Sequence, residues 1–300
     1  MSQFIDSILI PTDDSEGALA GARQAIALAS RTGADVHVLS VVAIRSDLDG
    51  VAEMAEPVYA SLEAEAEDAV ETVADMVRSH EADFEVTMTV TRGTPFQSIR
   101  EYASRREIDV IAMGTTGRTG LDRVLLGSVT ENVLRTARTP VLAVPPNADA
   151  TESDEVAFDE FLLPTDGSDG AAIAADWGIA LASQLESLVH AVYSVDTSRV
   201  SRVKAPAELL AALEHSGEDA IDTVREHARR AGVSVSGTVA TGPPADVILT
   251  TASERDVDLI VMGTHGRTGI GQWFLGSVTE NVVRQADVPV FCVPVSAESP

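Results

Sequence analysis

Short runs of β-branched and apolar residues alternate along this chain with longer stretches in which apolar positions recur every three or four residues. Ser7–Ile10 is an apolar run that leads into Pro11, and an alanine-rich helical pattern follows over about residues 15–31. Val36–Val42 is a second run. The spacing of Val70, Val73 and Val77 predicts a long amphipathic helix over Pro57–His80. Glu85–Thr91 alternates as a third strand, and Pro95–Arg106 reads as a helix. Val110–Met113 is a buried strand, Ser128–Ala137 a helix and Val141–Val144 a last strand, with Pro140 at its opening as Pro289 is in the second half. Strands separated by helices predict right-handed crossovers and a mostly parallel sheet covered on both faces.

The pattern is written twice. DVIAMGTTGRTG at 109–120 returns as DLIVMGTHGRTG at 258–269, and LGSVTENV occurs at both 126–133 and 275–282. LIPTDDSEG at 9–17 matches LLPTDGSDG at 162–170. The copies are separated by 153 residues at the front motif (Asp13 to Asp166) and 149 at the rear (Gly114 to Gly263), so the middle of the second copy is shorter. A period of this size makes each copy a domain rather than a solenoid repeat. The expected division is one domain over 1–147, a small acidic linker over 148–157 and a second domain over 158–300.

Composition narrows the class. The chain has 300 residues with 21 basic and 47 acidic, a formal net charge of −26. That charge argues against a nucleic-acid partner held on a basic face and against an anionic membrane surface. Lys204 is the single lysine. A carboxylate-rich surface with almost no lysine suits a salt-accumulating cell, because molar salt shrinks the Debye length to ~3 Å and removes self-repulsion. One cysteine, Cys292, permits no internal disulfide. The first residues lack a basic stretch followed by an apolar one, and no apolar run approaches the ~18–20 residues of a membrane span, so a cytoplasmic protein is expected.

The segment after the fourth strand is the most informative. It reads Gly114-x-x-Gly117, nine residues, then Gly127-Ser128; the second copy gives Gly263-x-x-Gly266, nine residues, Gly276-Ser277. Glycines leave backbone N–H groups uncovered, and successive exposed amides bind anions. A helix starting at Ser128 adds its positive end. Ser128 and Thr130 offer hydroxyls, and Arg118 and Arg267 are the nearby cations. The same residues have a purely structural reading: Ser128 to Glu131, and Ser277 to Glu280, match a capping box. Pro11-Thr12-Asp13 and Pro164-Thr165-Asp166 follow the first strand of each copy. Asp13 is either a turn former or a ligand-facing carboxylate. In a doubly wound sheet of order 3-2-1-4-5, the loops after strands one and four meet at the switch point, where ligands bind. A carboxylate suits ribose hydroxyls and an amide nest suits phosphates.

With these motifs the chain resembles a tandem universal stress protein of the UspA-like family, over essentially its whole length apart from the linker. The family's nucleotide signature, G-x2-G-x9-G-[ST], is complete in both copies. The resemblance implies two α/β, doubly wound, five-stranded parallel sheets of the HUP (adenine nucleotide alpha hydrolase-like) class, with ATP, or ADP or AMP, held at each switch point, with or without Mg²⁺. It implies that Pro11, Thr12 and Asp13 border ribose, that the backbone at Val41 holds adenine, and that Met113, Gly114, Gly117, Arg118, Gly127, Ser128, Val129 and Thr130 line the phosphate side. The matching positions in the second copy are Pro164, Thr165, Asp166, Ser194, Met262, Gly263, Gly266, Arg267, Gly276, Ser277, Val278 and Thr279. It also implies pairing through the last strands, either between the two halves or in a homodimer. The second copy departs from the first in having Ser194 for Val41 and His265 for Thr116, and its loop carries Trp273.

Enzyme chemistry is not evident in the residues. No P-loop, dinucleotide fingerprint, zinc motif or nucleophile elbow occurs in the sequence. The expectation is an ATP-binding stress-response module with no catalytic residue and no protein metal site. The alternatives are a slow ATP hydrolase or nucleotidyl-transfer enzyme, and an interaction protein whose loops are merely structural caps.

Overall fold

The computed structural model describes residues 4–44, 52–80, 85–117, 126–148, 156–197, 206–266 and 275–297. The chain divides into two compact units, Met1–Glu155 and Val156–Pro300. Most of the expected linker, residues 149–155, lies outside the described residues.

In the first unit the elements are β1 (Ser7–Pro11), α1 (Glu16–Thr32), β2 (Asp35–Ala43), α2 (Ala52–Ser79), β3 (Val86–Gly93), α3 (Pro95–Arg105), β4 (Val110–Gly114), α4 (Ser128–Thr136) and β5 (Val141–Val144). All pairings among them are parallel, in the order β3-β2-β1-β4-β5. The second unit repeats the series: β6 (Glu160–Pro164), α5 (Asp169–Leu185), β7 (Leu188–Val195), α6 (Pro206–Arg230), β8 (Val235–Thr241), α7 (Pro244–Glu254), β9 (Leu259–Gly263), α8 (Ser277–Gln285) and β10 (Val290–Val293). Its order is β8-β7-β6-β9-β10, again parallel. The expected doubly wound α/β architecture is therefore present in each copy.

Burial explains why the central strands read as unbroken apolar runs. Ile8, Leu9 and Ile10 of β1 and Ile111 of β4 are fully buried, as are Phe161 and Phe291 in the second unit. A strand with helices on both faces has no side chain to spare for water. The long helix starts at Ala52, five residues before the expected Pro57, which sits inside it. Pro57 is the sixth helical residue, past the first turn, so it gives up the bond its N–H would make four residues back, and the Ala-Glu-Met-Ala-Glu segment before it is helical nonetheless. Val70, Val73 and Val77 are buried as the stripe requires. Pro140 and Pro289 stand just before the last strands, and their carbonyls accept from Ile111 and Ile260 at 2.9 and 3.0 Å. Proline costs nothing there because only its acceptor is used.

Candidate functional site

Each unit has a cleft at the carboxyl ends of its first and fourth strands. The first, about 440 Å³, is lined by Pro11, Thr12, Asp13, Val41, Met113, Gly114, Gly117, Gly127, Ser128, Val129 and Thr130, among others. The second, about 500 Å³, is lined by Pro164, Thr165, Asp166, Ser194, Met262, Gly263, Gly266, Gly276, Ser277, Val278 and Thr279, among others. Two groups of residues about 100 positions apart thus converge in each copy. Arg118, Arg267 and Trp273 lie outside the described residues.

The turn after β1 is built by side chain–backbone bonds. The Thr12 hydroxyl accepts from the Asp14 N–H at 3.2 Å, and Asp13 Oδ1 accepts from the Ser15 N–H and hydroxyl at 3.2 and 2.6 Å. Asp14 has φ 62° and its counterpart Gly167 has φ 74°, so this turn needs a left-handed residue in both units. The structural role expected for Asp13 is thus present at Oδ1. Its Oδ2 faces the glycine loop: a Cβ on Gly117 would lie 3.5 Å from it. Asp166 divides its oxygens in the same way, with Oδ1 3.0 Å from the Ser168 N–H and Oδ2 toward Gly266.

Two of the glycines also have a packing reason, and none of the described signature glycines has a left-handed φ. Left-handed φ values occur among the described glycines at Gly33, Gly167, Gly232 and Gly242, and none of these belongs to the signature. Gly127 and Gly276 have φ −59° and −60°. What Gly114 and Gly263 need is room. A Cβ on Gly114 would overlap the carbonyl oxygen of Gly17, and one on Gly17 would overlap that of Thr116. In the second unit a Cβ on Gly263 would come within 2.8 Å of the Gly170 carbonyl oxygen. The first turn of α1, or of α5, is pressed directly against the end of the fourth strand.

The capping-box reading is corrected too. The N-cap of α4 is Gly127, with Ser128 one position inside, and no side chain caps the helix; α8 behaves alike at Gly276. By contrast α1 and α5 are capped by Ser15 and Ser168, which accept from the third residue beyond at 3.2 and 3.3 Å. The first amides of α4 and α8 are therefore left without the usual side-chain acceptor, at the wall of the cleft. The expected hydroxyl donor at Thr130 is committed elsewhere: it donates to the Gly114 carbonyl at 2.8 Å, as Thr279 does to Gly263. That bond ties the helix start to the end of the strand.

Several lining residues had no motif to announce them. Leu62, Glu65 and Ala66 of α2 form a wall of the first cleft, with Pro95 and Ile99 of α3. Leu209, Leu213, Pro244 and Ile248 do the same in the second. The available signal was the repeat itself, since Pro95 and Ile99 recur as Pro244 and Ile248 at the rear separation of 149 residues (Gly114 to Gly263). Electrostatically, the described linings carry carboxylates, Asp13 and Glu65 in one and Asp166 and Asp196 in the other, with no lysine or arginine. Burial holds the imidazole of His265, in the second cleft, below its ordinary value.

A doubly wound α/β domain, duplicated, with a cleft at each switch point defines a protein built of two like modules. The universal stress protein family model matches residues 5–145 and 157–294, and the chain belongs to that family. Universal stress protein MJ0531 of Methanocaldococcus jannaschii is 37% identical over 141 residues, covering 45% of this chain and 82% of its own. Universal stress protein Rv2005c of Mycobacterium tuberculosis is 29% identical over 199 residues, covering 66% and 65%. The crystal structure of a universal stress protein from Archaeoglobus fulgidus has the same fold, with a TM-score of 0.70 at 23% identity over 96% of both chains.

Proposed function

We propose that each unit binds an adenine nucleotide in its cleft, and that the protein is a nucleotide-responsive stress module. One observation carries this reading: in both units an aspartate oxygen and the uncapped first turn of a helix border the same cleft. Amides at a helix start, with its positive dipole end, bind phosphate. The residues fit the ligand in order. Asp13 and Asp166 accept from ribose hydroxyls through Oδ2. The backbone at Val41 and Ser194 meets the base. The N–H groups of Ser128, Val129 and Thr130, and of Ser277, Val278 and Thr279, hold the phosphates. In this reading Arg118 and Arg267 supply positive charge, and Mg²⁺ accompanies the triphosphate with water and phosphate as its ligands.

Calorimetric titration of ATP into protein stripped of nucleotide tests the reading. Two ATP per chain are expected. Protein that binds none, under conditions where it unfolds cooperatively, overturns it in favour of an interaction protein with structural loops. Multiple turnovers of ATP, abolished by a loop substitution, would instead establish the hydrolase.

A further inference from the structure

The wall that α2 gives the first cleft is fastened to the edge of the sheet by one charged group. Arg92 is the next-to-last residue of β3 and pairs in register with Val42 of β2, which lines the cleft. Its guanidinium grips Glu63 of α2 with two bonds, Nε donating to Oε1 at 2.6 Å and Nη2 to Oε2 at 2.9 Å. Nη2 also donates to Glu56 Oε1 at 3.1 Å. The same guanidinium lies 4.9 Å from the centre of the Tyr59 ring. Tyr59 is buried with Val42 and Ala66, and Leu62 and Val90 pack against them. Leu62 and Ala66 line the cleft. One short stretch of α2 therefore carries both the partners of Arg92 and the apolar wall.

The second unit keeps the wall but not the fastening. Arg92 corresponds to Thr241 at the rear separation of 149 residues (Gly114 to Gly263). Glu56 and Tyr59 correspond to Ala207 and Leu210 at a separation of 151 (Glu67 to Glu218), and Glu63 alone persists, as Glu214. There α6 is seated by an uncharged contact: a Cβ on Gly217 would come within 2.7 Å of the Tyr193 ring. The two walls are thus held by different physics. Two-pronged arginine–carboxylate pairing is the strong form of the ionic contact, and an arginine over an aromatic face adds to it. The Arg92 and Glu63 side chains are 34% and 35% exposed, so added salt weakens their attraction. Glu56, at 70% exposed, contributes less. Ring-on-glycine packing in the second unit carries no charge to screen.

We propose that Arg92 is a positioning residue for the first site: by holding α2 against the sheet it slows release of the bound nucleotide, and release quickens as ionic strength rises. The second site, with Thr241, lacks this control. The proposal rests on the nucleotide reading and adds to it a response to salt confined to one of the two sites. The path is short: Arg92 fixes Tyr59 and Glu63, these fix Leu62 and Ala66, and those two close the cleft beside Val42. Freed of Arg92, α2 lifts from Val42 and Val90 more often, and the ligand leaves through that opening.

The test uses the full chain with Gly266→Phe to close the second site. Radiolabelled ATP is bound, chased with excess unlabelled ATP, and its release timed at KCl from about 0.1 to 2 M; circular dichroism monitors the fold. Arg92→Leu is expected to speed release about three- to tenfold at low salt, the scale of a part-exposed ionic network. Wild-type release is expected to approach the variant's as KCl rises, because screening undoes the same contacts. Glu63→Gln, which leaves the Arg92–Tyr59 contact in place, is expected to act in the same direction by less, and Arg92→Lys to restore part of the retention. With Gly117→Phe closing the first site instead, Arg92→Leu is expected to leave release from the second site unchanged. Equal release rates at low salt for wild type, Arg92→Leu and Glu63→Gln, while ATP still binds, overturn the proposal and leave the nucleotide reading standing. So does a salt dependence that Arg92→Leu does not diminish. No ATP binding at either site in the wild-type chain overturns both.

Discussion

Gly117→Phe separates the cleft from the fold. Among the described residues, a Cβ at this position meets only Asp13 Oδ2, at 3.5 Å, which is an ordinary contact, and no backbone atom outside its chain neighbours lies within 4 Å. Its φ is outside the left-handed range, so an L side chain attaches without strain. Stability should change by no more than about 0.5 kcal/mol, the usual range for a substitution away from the core. The ring must then enter the cleft of about 440 Å³, beside Asp13 and the start of α4. Losing two hydrogen bonds to a charged phosphate, at about 1.5–3 kcal/mol each, amounts to about 3–6 kcal/mol. That is a loss of roughly 100-fold to more than 10,000-fold in affinity. Calorimetry with ATP should fall from two events per chain to one, with an unchanged urea midpoint. Two events of undiminished affinity would refute the placement of the ligand. A matching fall in stability would show that Gly117 serves the fold.

Four further outcomes follow from the structure and the charge. Ser15→Ala removes a true cap and should cost about 1 kcal/mol in urea unfolding, whereas Ser128→Ala removes none and should leave stability within about 0.5 kcal/mol while weakening ATP binding; equal destabilisation by both would restore the capping-box reading. Burial pushes the Cys292 thiol up to about 12, so a disulfide reagent at about pH 8 should find no reactive thiol until denaturant is added. Because the unfolded thiol ionises at its ordinary value of about 9.0 while the folded one resists until about 12, stability should fall as pH rises through that window. With a net charge of −26, the thermal midpoint should rise as KCl goes from about 0.1 to 2 M; a flat midpoint refutes the adaptation to salt.

The order of elements was legible because period-two and period-3.6 patterns differ strongly here, and because each appears twice. The convergence of Asp13 with Gly117 was legible once the doubly wound order was assumed. The reasons behind individual residues were less so. Gly114 reads as a glycine that leaves an amide uncovered, yet the Gly17 carbonyl also demands it, a contact between residues nearly 100 positions apart. Ser128 reads as a cap because the S-x-x-E spacing is local, but the cap position is one residue earlier, at Gly127, and Ser128 is the first helical residue. The α2 wall was invisible because Leu62 and Ala66 look like any amphipathic stripe until the sheet beneath them is placed.

The seam between Gly17 and Gly114 has a practical consequence. It leaves no slack, so the shelf under the cleft and the helix behind it form one mechanical part, and Gly170 with Gly263 repeats the arrangement. The residues beyond Gly117 lie outside the described ones, and the two copies spell them differently, with Asp122-Arg123-Val124 in one and Gly271-Gln272-Trp273 in the other. Anyone re-tailoring what either pocket accepts finds no room at the seam, where one added carbon would collide with main chain.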